Sequence, residues 1–322
     1  MAEKKQSNLL VLEILKENSD ENHILSVKDI QSLLESRYGV KLERRAIYSN
    51  FEILAQAGYE ISDYKDNGKG YYLVSRQFDK GEVLLLCNAI HASHFIPKKQ
   101  SDKLIKTLLS TQSRYDQKDF TDRVYMPNPL KSDNRELMYN VEIVSEAIRE
   151  AKMLQFDYLK YGKDKKIMLR DHGLYYVEPR YIVYADSRAY MIVTSPNHEG
   201  FIHYRLDKIS NAAVVDKKAR KLPKDIDAYE YARNKLFMYS GDTETVTYRC
   251  HEKVLDQMID IFGSEAKIIF EDSEYFTLTV KAPETGALYL GQQFMEYVEI
   301  IKPLALREKF RDNLKQALKK YK

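Results

Sequence analysis

The sequence predicts an α+β fold that is divided among several domains, because the spacing of its apolar residues changes twice along the chain. From Leu9 to Ala151 the apolar residues mostly recur at helical spacing. From Met153 to Ile209 they alternate along short segments that are separated by turns, which is typical of a small barrel. From Thr243 onward, strand and helix patterns follow one another. A chain of 322 residues is long enough for two or three separate cores.

The composition is that of an ordinary globular protein, and it argues against several classes of protein. Charged residues make up 31% of the chain but the net charge is only +3, so any basic surface for nucleic acid has to be local. The two cysteines, Cys87 and Cys250, lie far apart, which argues against a disulfide scaffold or a zinc module. The segment Met1–Ser7 lacks the apolar core of a signal peptide, and no apolar run reaches about 18 residues. We therefore expect a cytoplasmic protein without a membrane partner.

Residues 1–76 predict three helices followed by a hairpin. Ser26-Val27-Lys28-Asp29 has the form of a capping box, and Gly39 is suited to end the helix that it starts. Asn67-Gly68 is a strong turn dipeptide, because both residue types tolerate a positive φ. This order of elements is that of a winged helix-turn-helix, whose recognition helix enters the DNA major groove. The expected helices are Leu9–Asn18, one that follows the capping box and carries Ile30, Leu33, Leu34 and Tyr38, and Glu43–Ala57, and the expected strands are Tyr59–Tyr64 and Tyr71–Ser75.

The third helix carries the candidate DNA-binding side chains. At about 100° per residue its apolar residues fall on one face, and arginine, tyrosine and serine fall on the opposite face. Arginine can donate two hydrogen bonds to guanine, and lysines beside the hairpin turn can reach phosphates. The same arginines also suit the solvated face of an amphipathic helix, but the order of the elements favours DNA binding. The predicted DNA-binding residues are Arg44, Arg45, Tyr48, Ser49, Asn50, Lys65 and Lys69.

The rest of the chain predicts a helical segment, the barrel and a C-terminal α+β unit. The expected helices of the first segment are Glu82–His94, Ser101–Leu109 and Asn134–Ala151, with an extended or looped stretch at Phe120–Leu130. The expected barrel strands are Met153–Lys160, Ile167–Leu169, Leu174–Ile182, Ala189–Thr194 and Phe201–Ile209, followed by a charged linker at Lys217–Asp227 and a helix at Ala228–Phe237. The last unit is expected to contain strands at Thr243–Cys250, Ala266–Phe270, Tyr275–Val280 and Val298–Ile301, and helices at Glu252–Phe262, Glu284–Gln293 and Ala305–Tyr321.

The last predicted barrel strand carries a second candidate site. Strand alternation places His203, Arg205 and Asp207 on one face of this strand. Arginine and histidine at the lip of a small barrel suit an anionic ligand, such as a nucleotide, a phosphate or single-stranded nucleic acid. The alternative is that Arg205 only pairs with Asp207 or another carboxylate on the outside of the barrel, and the spacing alone favours this alternative.

Three groups of motifs together resemble the WYL-domain transcriptional regulators. The barrel motifs are Tyr158, Val177-Glu178-Pro179, Ala189-Tyr190-Met191 and Tyr204-Arg205-Leu206-Asp207-Lys208-Ile209. The segment Arg44-Arg45-Ala46-Ile47-Tyr48 resembles the R-R-T-I-Y segment of DeoR-type winged helices, and Gly70-Tyr71-Tyr72-Leu73 resembles the end of their wing. The segment from Val298 to Arg307 resembles their C-terminal extension, which is called WCX.

The resemblance implies four parts in a fixed order. These are a winged helix-turn-helix at 1–76, a helical linker and dimerisation region at 77–150, an Sm-like, SH3-type small β-barrel (the WYL domain) at 151–218 and a WCX-like α+β domain at 229–322. The family's barrel is proposed to sense a ligand. By resemblance, the ligand-binding residues of this chain are Tyr158, Tyr190, His203, Arg205 and Lys208.

The chain departs from the family pattern at several of these positions. Ala189 stands where the family has tryptophan, and Met191 stands where it has leucine. Lys208 replaces an arginine, which keeps the charge but loses the two-pronged donor. In the recognition helix, Ser49-Asn50 stand where the family has arginine and aspartate, and Glu43 stands where a polar N-cap is expected.

The sequence predicts a regulator and not an enzyme. It contains no G-x-S-x-G, P-loop, H-E-x-x-H or Rossmann glycine motif, so we expect no catalytic residues, metal or cofactor. The expected partners are a double-stranded DNA operator, a nucleotide or single-stranded nucleic acid on the barrel, and a second copy, since one recognition helix reads few base pairs. Two alternatives stay open. One is a nucleic-acid-binding accessory or regulator of a phage-defence system of the CRISPR or restriction type, and the other is a protein-interaction module that senses nothing.

Overall fold

The computed structural model describes residues 6–123, 131–132, 134–170, 173–185, 187–221 and 241–321. Contacts divide the chain into two compact units, Met1–Asp133 and Asn134–Lys322, and each is described by itself. The helix predicted at Ala228–Phe237 and most of the preceding linker lie outside the described residues. Among the helices that are described, none has the length and apolar character needed to span a membrane.

The N-terminal part of the first unit packs three helices over one core. The capping box at Ser26 is present, since its hydroxyl accepts a hydrogen bond from the Asp29 backbone and the Asp29 carboxylate accepts one from the Ser26 backbone. Gly39 ends the same helix with a φ of 66°. The buried residues of this core include Val11, Ile14, Ile30, Leu34, Ile47 and Leu54. The elements are α1 (Ser7–Asn18), α2 (Val27–Tyr38), α3 (Arg44–Gln56), β1 (Ile61–Ser62), α4 (Tyr64–Asn67) and β2 (Tyr72–Leu73).

The hairpin predicted after the third helix forms, but its turn was predicted wrongly. Strands β1 and β2 pair antiparallel over only two residues each. The segment between them contains the short helix α4 in place of a tight Asn-Gly turn. The carboxylate of Asp63 accepts hydrogen bonds from the backbone of Lys65 and Asp66, and Gly68 closes the turn with a φ of 69°. A capped helical turn thus satisfies backbone groups that a tight hairpin would have left to water.

Three further helices complete the first unit, and one of them was not predicted. They are α5 (Lys80–Ala92), α6 (Lys98–Leu109) and α7 (Arg114–Arg123). Residues 120–123 were expected to be extended or looped, but they belong to α7, and the rest of that predicted stretch, residues 124–130, lies outside the described residues. The Ser113 hydroxyl accepts a hydrogen bond from the backbone of Asp116 at 3.1 Å and so caps this helix. Phe120 is buried in a cluster with Val83 and Cys87, which fixes the helix in place.

The second unit begins with a helix on a barrel-like sheet. Its elements are α8 (Leu137–Arg149), β3 (Lys152–Tyr161), β4 (Ile167–Leu169), β5 (Tyr175–Ala185), β6 (Arg188–Ser195), β7 (His198–Arg205), a 3₁₀ turn (Leu206–Lys208) and β8 (Ile209–Lys218). The strand order is β4-β3-β5-β6-β7, and β8 pairs with β3. Helix α8, which the sequence analysis assigned to the linker at 77–150, contacts β3, β5 and β8. The predicted domain limits stay predictions.

The last barrel strand differs from the prediction in two ways. The expected strand Phe201–Ile209 ends at Arg205, where the 3₁₀ turn begins, so strand alternation does not extend to Asp207. Ile209–Lys218, which was expected to contain the start of a linker, forms β8. All three residues of this turn, Leu206, Asp207 and Lys208, are buried.

The C-terminal part of the second unit folds as a four-stranded sheet covered by helices. The sheet has the order β10-β11-β9-β12, which is the split βαββαβ arrangement. A 3₁₀ turn at Glu252–Val254 precedes α9. A Cβ on Gly291 would lie 3.1 Å from the Phe310 ring, so the helices that carry these residues approach closely. The elements are β9 (Thr243–His251), α9 (Leu255–Phe262), β10 (Lys267–Phe270), β11 (Tyr275–Pro283), α10 (Glu284–Gln293), β12 (Val298–Lys302) and α11 (Leu304–Lys319).

A buried carboxylate stabilises the barrel. Glu178 is only 1% exposed and accepts hydrogen bonds from Thr194 at 2.7 Å, from Arg180 at 3.0 Å and from Arg220 at 2.9 Å. Burial on its own would raise the pKa of Glu178, but the bonds from Arg220 and Thr194 outweigh it and lower the pKa to about 2. The folded state therefore favours the ionised carboxylate.

Replacing Glu178 should lower stability in a pH-dependent way. The pKa of Glu178 is lower in the folded chain than in the unfolded chain. The stability that the ionised carboxylate contributes is therefore complete above pH 4.5, the ordinary pKa of glutamate, and is lost as the pH falls towards about 2. We expect Glu178→Gln to reduce the free energy of unfolding by about 3 kcal/mol at pH 7 and by roughly half of that at pH 3. Urea unfolding at both pH values measures this difference. The exposed control Glu142→Gln should change stability by less than about 0.5 kcal/mol. An equal loss at both pH values for Glu178→Gln would contradict the prediction.

Candidate functional site

Helix α3 presents an exposed arginine–tyrosine pair. The Arg44 Nε donates a hydrogen bond to the Tyr48 hydroxyl at 2.8 Å, and the Arg44 guanidinium lies 5.6 Å from the centroid of the Tyr48 ring. Arg45 and Ser49 are exposed on the same helix, while Ile47 is fully buried beneath it. The helix therefore presents a polar, partly cationic face to solvent and anchors itself by its apolar face.

The wing supports this pair through a tyrosine that the sequence analysis did not single out. The Tyr71 ring centroid lies 4.7 Å from that of Phe51 and 6.1 Å from that of Tyr48. Burial, together with a hydrogen bond to Tyr48, raises the pKa of Tyr71 to about 12. The hydrogen bonds from Arg44 and then Tyr71 lower the pKa of Tyr48. The aromatic residue after Gly70 in the wing motif was the only signal for this role in the sequence.

Asn50 does not lie on the predicted DNA-binding surface. It is 5% exposed, and its Oδ1 accepts a hydrogen bond from the Ser7 hydroxyl at 3.1 Å. Helical spacing explains this position, since Asn50 is three residues after Ile47 and four residues before Leu54, both of which are buried. Its inclusion among the DNA contacts is therefore corrected.

A basic groove runs beside the exposed pair. The groove has a volume of about 620 Å³, and Arg44, Tyr48, Lys65 and Lys69 line it. Lys65 and Lys69 are both exposed, as predicted for residues that flank the turn of the wing. Lys28, in the first turn of α2, also lines the groove and was not predicted. Helix α2 and the wing thus bring three lysines to the edge of the recognition helix.

The barrel brings the predicted ligand-binding residues together around Arg205. Tyr190 stands opposite Arg205 in the pairing of β6 with β7, and His203 is two residues before Arg205 on β7. All three therefore point to one face of the sheet. The Tyr158 hydroxyl accepts a hydrogen bond from the Arg205 backbone at 3.2 Å. The geometry places these four residues at one end of the barrel.

Arg205 already has a carboxylate partner. Its Nε and one terminal nitrogen donate to the two carboxylate oxygens of Asp207 at 2.9 and 2.6 Å. Burial on its own would lower the pKa of Arg205, but Asp207 outweighs it and raises the pKa. Asp207 is 5% exposed. The alternative in which Arg205 pairs with Asp207 is therefore the arrangement observed, with the pair partly buried.

Lys208 is held against an aromatic ring. It is 8% exposed, and its Nζ lies 3.5 Å from the centroid of the Tyr161 ring. Burial first, and then the charge of Arg205, lowers the pKa of Lys208. Arg170 stands 6.0 Å from the centroid of the Tyr158 ring, so a second cation lies over a second tyrosine. Neither Tyr161 nor Arg170 was singled out in the sequence, because a single cation–tyrosine contact across strands leaves no local pattern.

The charges at this end of the barrel are predominantly positive. Arg188 and Arg205 both lower the pKa of Lys208 by their charge, and Asp207 opposes them. With Arg170 these named groups comprise four cations and one carboxylate. An anion could bind here by taking over one of the bonds that Asp207 accepts. Within the described residues, no group of three or more His, Cys, Asp or Glu side chains is placed to hold a metal ion.

Comparison with known proteins gives one sequence match and structural likenesses of low identity. No curated protein sequence matches the chain. The chain is similar to the solved structure of Proteasome accessory factor B/C (PafBC) of Arthrobacter aurescens, with 15% identity and a TM-score of 0.30, over 99% of this chain and 49% of that one. It is also similar to a CRISPR Cas-related protein, with 12% identity and a TM-score of 0.39, over 99% of this chain and 84% of that one. The chain thus spans about half the length of the PafBC chain.

The sequence match covers the part of the chain that carries the barrel site. Residues 139–214 match the sequence model of the WYL domain. This segment begins within α8, ends within β8 and includes Tyr158, Tyr190, His203, Arg205 and Lys208. The strand pattern, the motifs around Arg205 and this match agree, and residues 139–214 of this chain are similar to a WYL domain.

Proposed function

We propose that this protein is a DNA-binding transcriptional regulator, and not an enzyme, whose WYL domain binds an anionic ligand that tunes DNA binding. The observation that carries the DNA-binding part is the exposed Arg44–Tyr48 pair on α3, which stands beside a groove lined by Lys28, Lys65 and Lys69. The pair can reach base edges, while the lysines can neutralise phosphates on either side. This division of roles is what specific DNA recognition requires.

The surface formed by the Arg44–Tyr48 pair and the groove is suited to DNA because its cationic side chains are exposed and outnumber its carboxylates. Of the residues lining the groove, Lys28, Arg44, Lys65 and Lys69 are cationic and Asp63 is anionic. Local charge of this kind supports binding even though the whole chain carries only +3. A single helix contacts few base pairs, so we propose that two copies bind one operator as a homodimer.

The barrel supports the second part of the proposal. Two of its cations, Lys208 and Arg170, are held over tyrosine rings, which suits a ligand that offers both negative charge and flat aromatic surface. Nucleotides and single-stranded nucleic acid share these two properties. We propose that such a ligand competes with Asp207 for the Arg205 guanidinium.

Removing both recognition arginines should weaken DNA binding and its dependence on salt. Arg44→Ala with Arg45→Ala is expected to lower affinity for a selected duplex about 10- to 100-fold. The slope of log K against log salt should fall by about two units if both arginines contact phosphates, and by less if they contact bases. Fluorescence anisotropy between 50 and about 200 mM salt measures both quantities. Lys98→Ala with Lys99→Ala removes two exposed charges from the same unit and should change neither. Wild-type affinity in the arginine variant would disprove the recognition surface.

Loss of the Tyr71 hydroxyl should weaken DNA binding without unfolding the domain. Tyr71→Phe keeps the ring that packs against Phe51 and removes the hydrogen bond to Tyr48. We expect an affinity loss of about 3- to 10-fold, because Tyr48 and Arg44 are then less well positioned. Tyr38→Phe, which alters an exposed tyrosine at the end of α2, is the matched control. An unchanged affinity for Tyr71→Phe would show that the wing does not position the pair.

Two opposite substitutions test the barrel site. Arg205→Gln should abolish binding of a labelled oligothymidylate or of ATP, since it removes the charged donor. Asp207→Asn should strengthen binding of the same probe by at least about fivefold, because the guanidinium loses its competing carboxylate. Isothermal titration calorimetry with each probe measures both effects and separates the two ligand classes. If Asp207→Asn weakened probe binding, the proposed competition would be refuted.

A further inference from the structure

Strand β10 leaves one edge of the C-terminal sheet open. It stands at the end of the order β10-β11-β9-β12 and pairs only with β11 among the strands that the structure describes. Ile269 and Phe270 are 54% and 61% exposed although both belong to this strand. An exposed apolar edge strand is a template for pairing with another extended chain. Lys267 is the only charged residue of β10, and the strand contains no proline, so the edge has little protection against such pairing.

The hydrogen-bond pattern shows which backbone groups of β10 face outward. The Glu271 backbone donates to the Tyr275 carbonyl at 3.0 Å, so these residues form a hydrogen-bonded pair just beyond the end of the strand. Such pairs recur at every second residue of an antiparallel ladder, so Ile269 also directs its N–H and C=O groups towards β11. The N–H and C=O groups of Ile268 and Phe270 therefore point away from the sheet.

The segment from Lys267 to Glu271 is complementary to a second copy of itself. When two copies of β10 run antiparallel about Ile269, Ile268 of one copy stands opposite Phe270 of the other. Both residues present outward backbone groups, so they exchange N–H···O=C hydrogen bonds in both directions. In the same register Lys267 of one copy stands opposite Glu271 of the other, which is a favourable pair of opposite charges across strands.

The other antiparallel registers lack this match. Centring the pair on Ile268 places Lys267 opposite Ile269, and centring it on Phe270 places Ile269 opposite Glu271. Each of these registers sets an apolar side chain against a charged one. A register centred between two residues pairs an outward backbone group with an inward one, so it forms no ladder of hydrogen bonds. Backbone direction and side-chain charge therefore select the same arrangement, the one centred on Ile269.

Glu271 is already oriented on the open face of the sheet. Its two carboxylate oxygens accept hydrogen bonds from the Arg249 Nε at 2.8 Å and from the Thr277 hydroxyl at 2.6 Å. The hydrogen bonds from Thr277 and then Arg249 lower the pKa of Glu271, which keeps the carboxylate ionised at neutral pH. A carboxylate can accept further hydrogen bonds beyond these two. Strand alternation places the exposed Lys267 on the same face.

We propose that β10 is a self-association surface of this protein, at which two copies join their C-terminal sheets into one continuous antiparallel sheet. This inference rests on the proposed function, since it supplies a surface for the proposed homodimer. The pairing itself needs neither DNA nor a ligand on the barrel. A pairing of two short strands buries less than the roughly 800 Å² per partner of a stable complex, so we expect a micromolar dissociation constant.

A disulfide across the two-fold axis tests the register. The two Ile269 residues would face each other as a non-hydrogen-bonded pair with Cα atoms about 4.5 Å apart, a separation that a disulfide can bridge. We expect Ile269→Cys in the full chain to form a covalent dimer during copper-catalysed air oxidation. Lys267→Cys is the matched control, because the two copies of that position lie about 14 Å apart in this register. The native Cys87 and Cys250 are both buried. A non-reducing gel should show at least about fivefold more dimer for Ile269→Cys.

Two further variants should weaken the pairing and leave β11 in place. Ile268→Pro removes an outward N–H, and proline is tolerated on an edge strand where that group faces solvent. Lys267→Glu sets two carboxylates opposite each other and keeps the test available if Ile268→Pro does not fold. Sedimentation equilibrium of the full chain without DNA should show a dissociation constant raised at least about tenfold in each. Lys302→Glu makes the same charge change on the opposite edge strand β12 and should change it less than about twofold.

The outcomes separate this inference from the proposed function. Dimers that form equally well with Lys267→Glu would overturn the β10 surface, because the copies would then associate elsewhere, as in the predicted dimerisation region at 77–150. Equal cross-linking of both cysteine variants, or a wild type that stays monomeric at high micromolar concentration, would overturn it as well. None of these measurements contains DNA, so they decide the surface even if the chain binds no duplex. Failure of the wild type to bind a duplex would instead refute the proposed function.

Discussion

The barrel is organised around the need to keep the buried carboxylate of Asp207 paired. Its partner Arg205 ends strand β7, and both oxygens of the carboxylate are bonded by that one guanidinium. A buried carboxylate without compensation costs several kcal/mol, so the turn is restricted to positions from which it reaches Arg205. Asn134 also donates to the backbone carbonyl of Asp207, and both Asn134 and Asn140 donate to that of Ile209, directly after the turn. The pairing of Arg205 with Asp207 therefore constrains the backbone of the turn as well as compensating charge.

The two cationic sites of the chain differ in how their charges are held. On α3 and the wing, Arg44, Lys65 and Lys69 are exposed, which suits a polyanion whose binding releases counterions. In the barrel, Lys208 is buried against Tyr161, and Arg205 is bonded to a carboxylate. Binding there has to replace an existing interaction, so it depends on the geometry of the ligand more than on its total charge. In the proposed function, the first surface contributes affinity for DNA and the second discriminates between small anions.

Periodicity was sufficient to predict most elements, and it failed where polar side chains direct the backbone. The helices around the capping box of Ser26 and most strands of the barrel followed from apolar spacing and turn residues. The helical turn capped by Asp63, the helix capped by Ser113 and the 3₁₀ turn after Arg205 did not. The first two depend on hydrogen bonds that a single polar side chain accepts from the backbone. Such local events leave little trace in a pattern of apolar residues.

The sequence by itself determined the order of the elements, the residue types of both candidate sites and the motifs of the WYL domain. Apolar spacing and short motifs encode these properties locally, so they can be read without knowledge of distant contacts. Only the tertiary structure decided that Asn50 is buried, that Tyr71 supports Tyr48, and that Arg205 is bonded to Asp207. It also decided that Asn134 holds the Asp207 turn from 73 positions away in the chain. Pairings over such separations depend on how the elements pack, and the spacing of residues along one element contains no information about them.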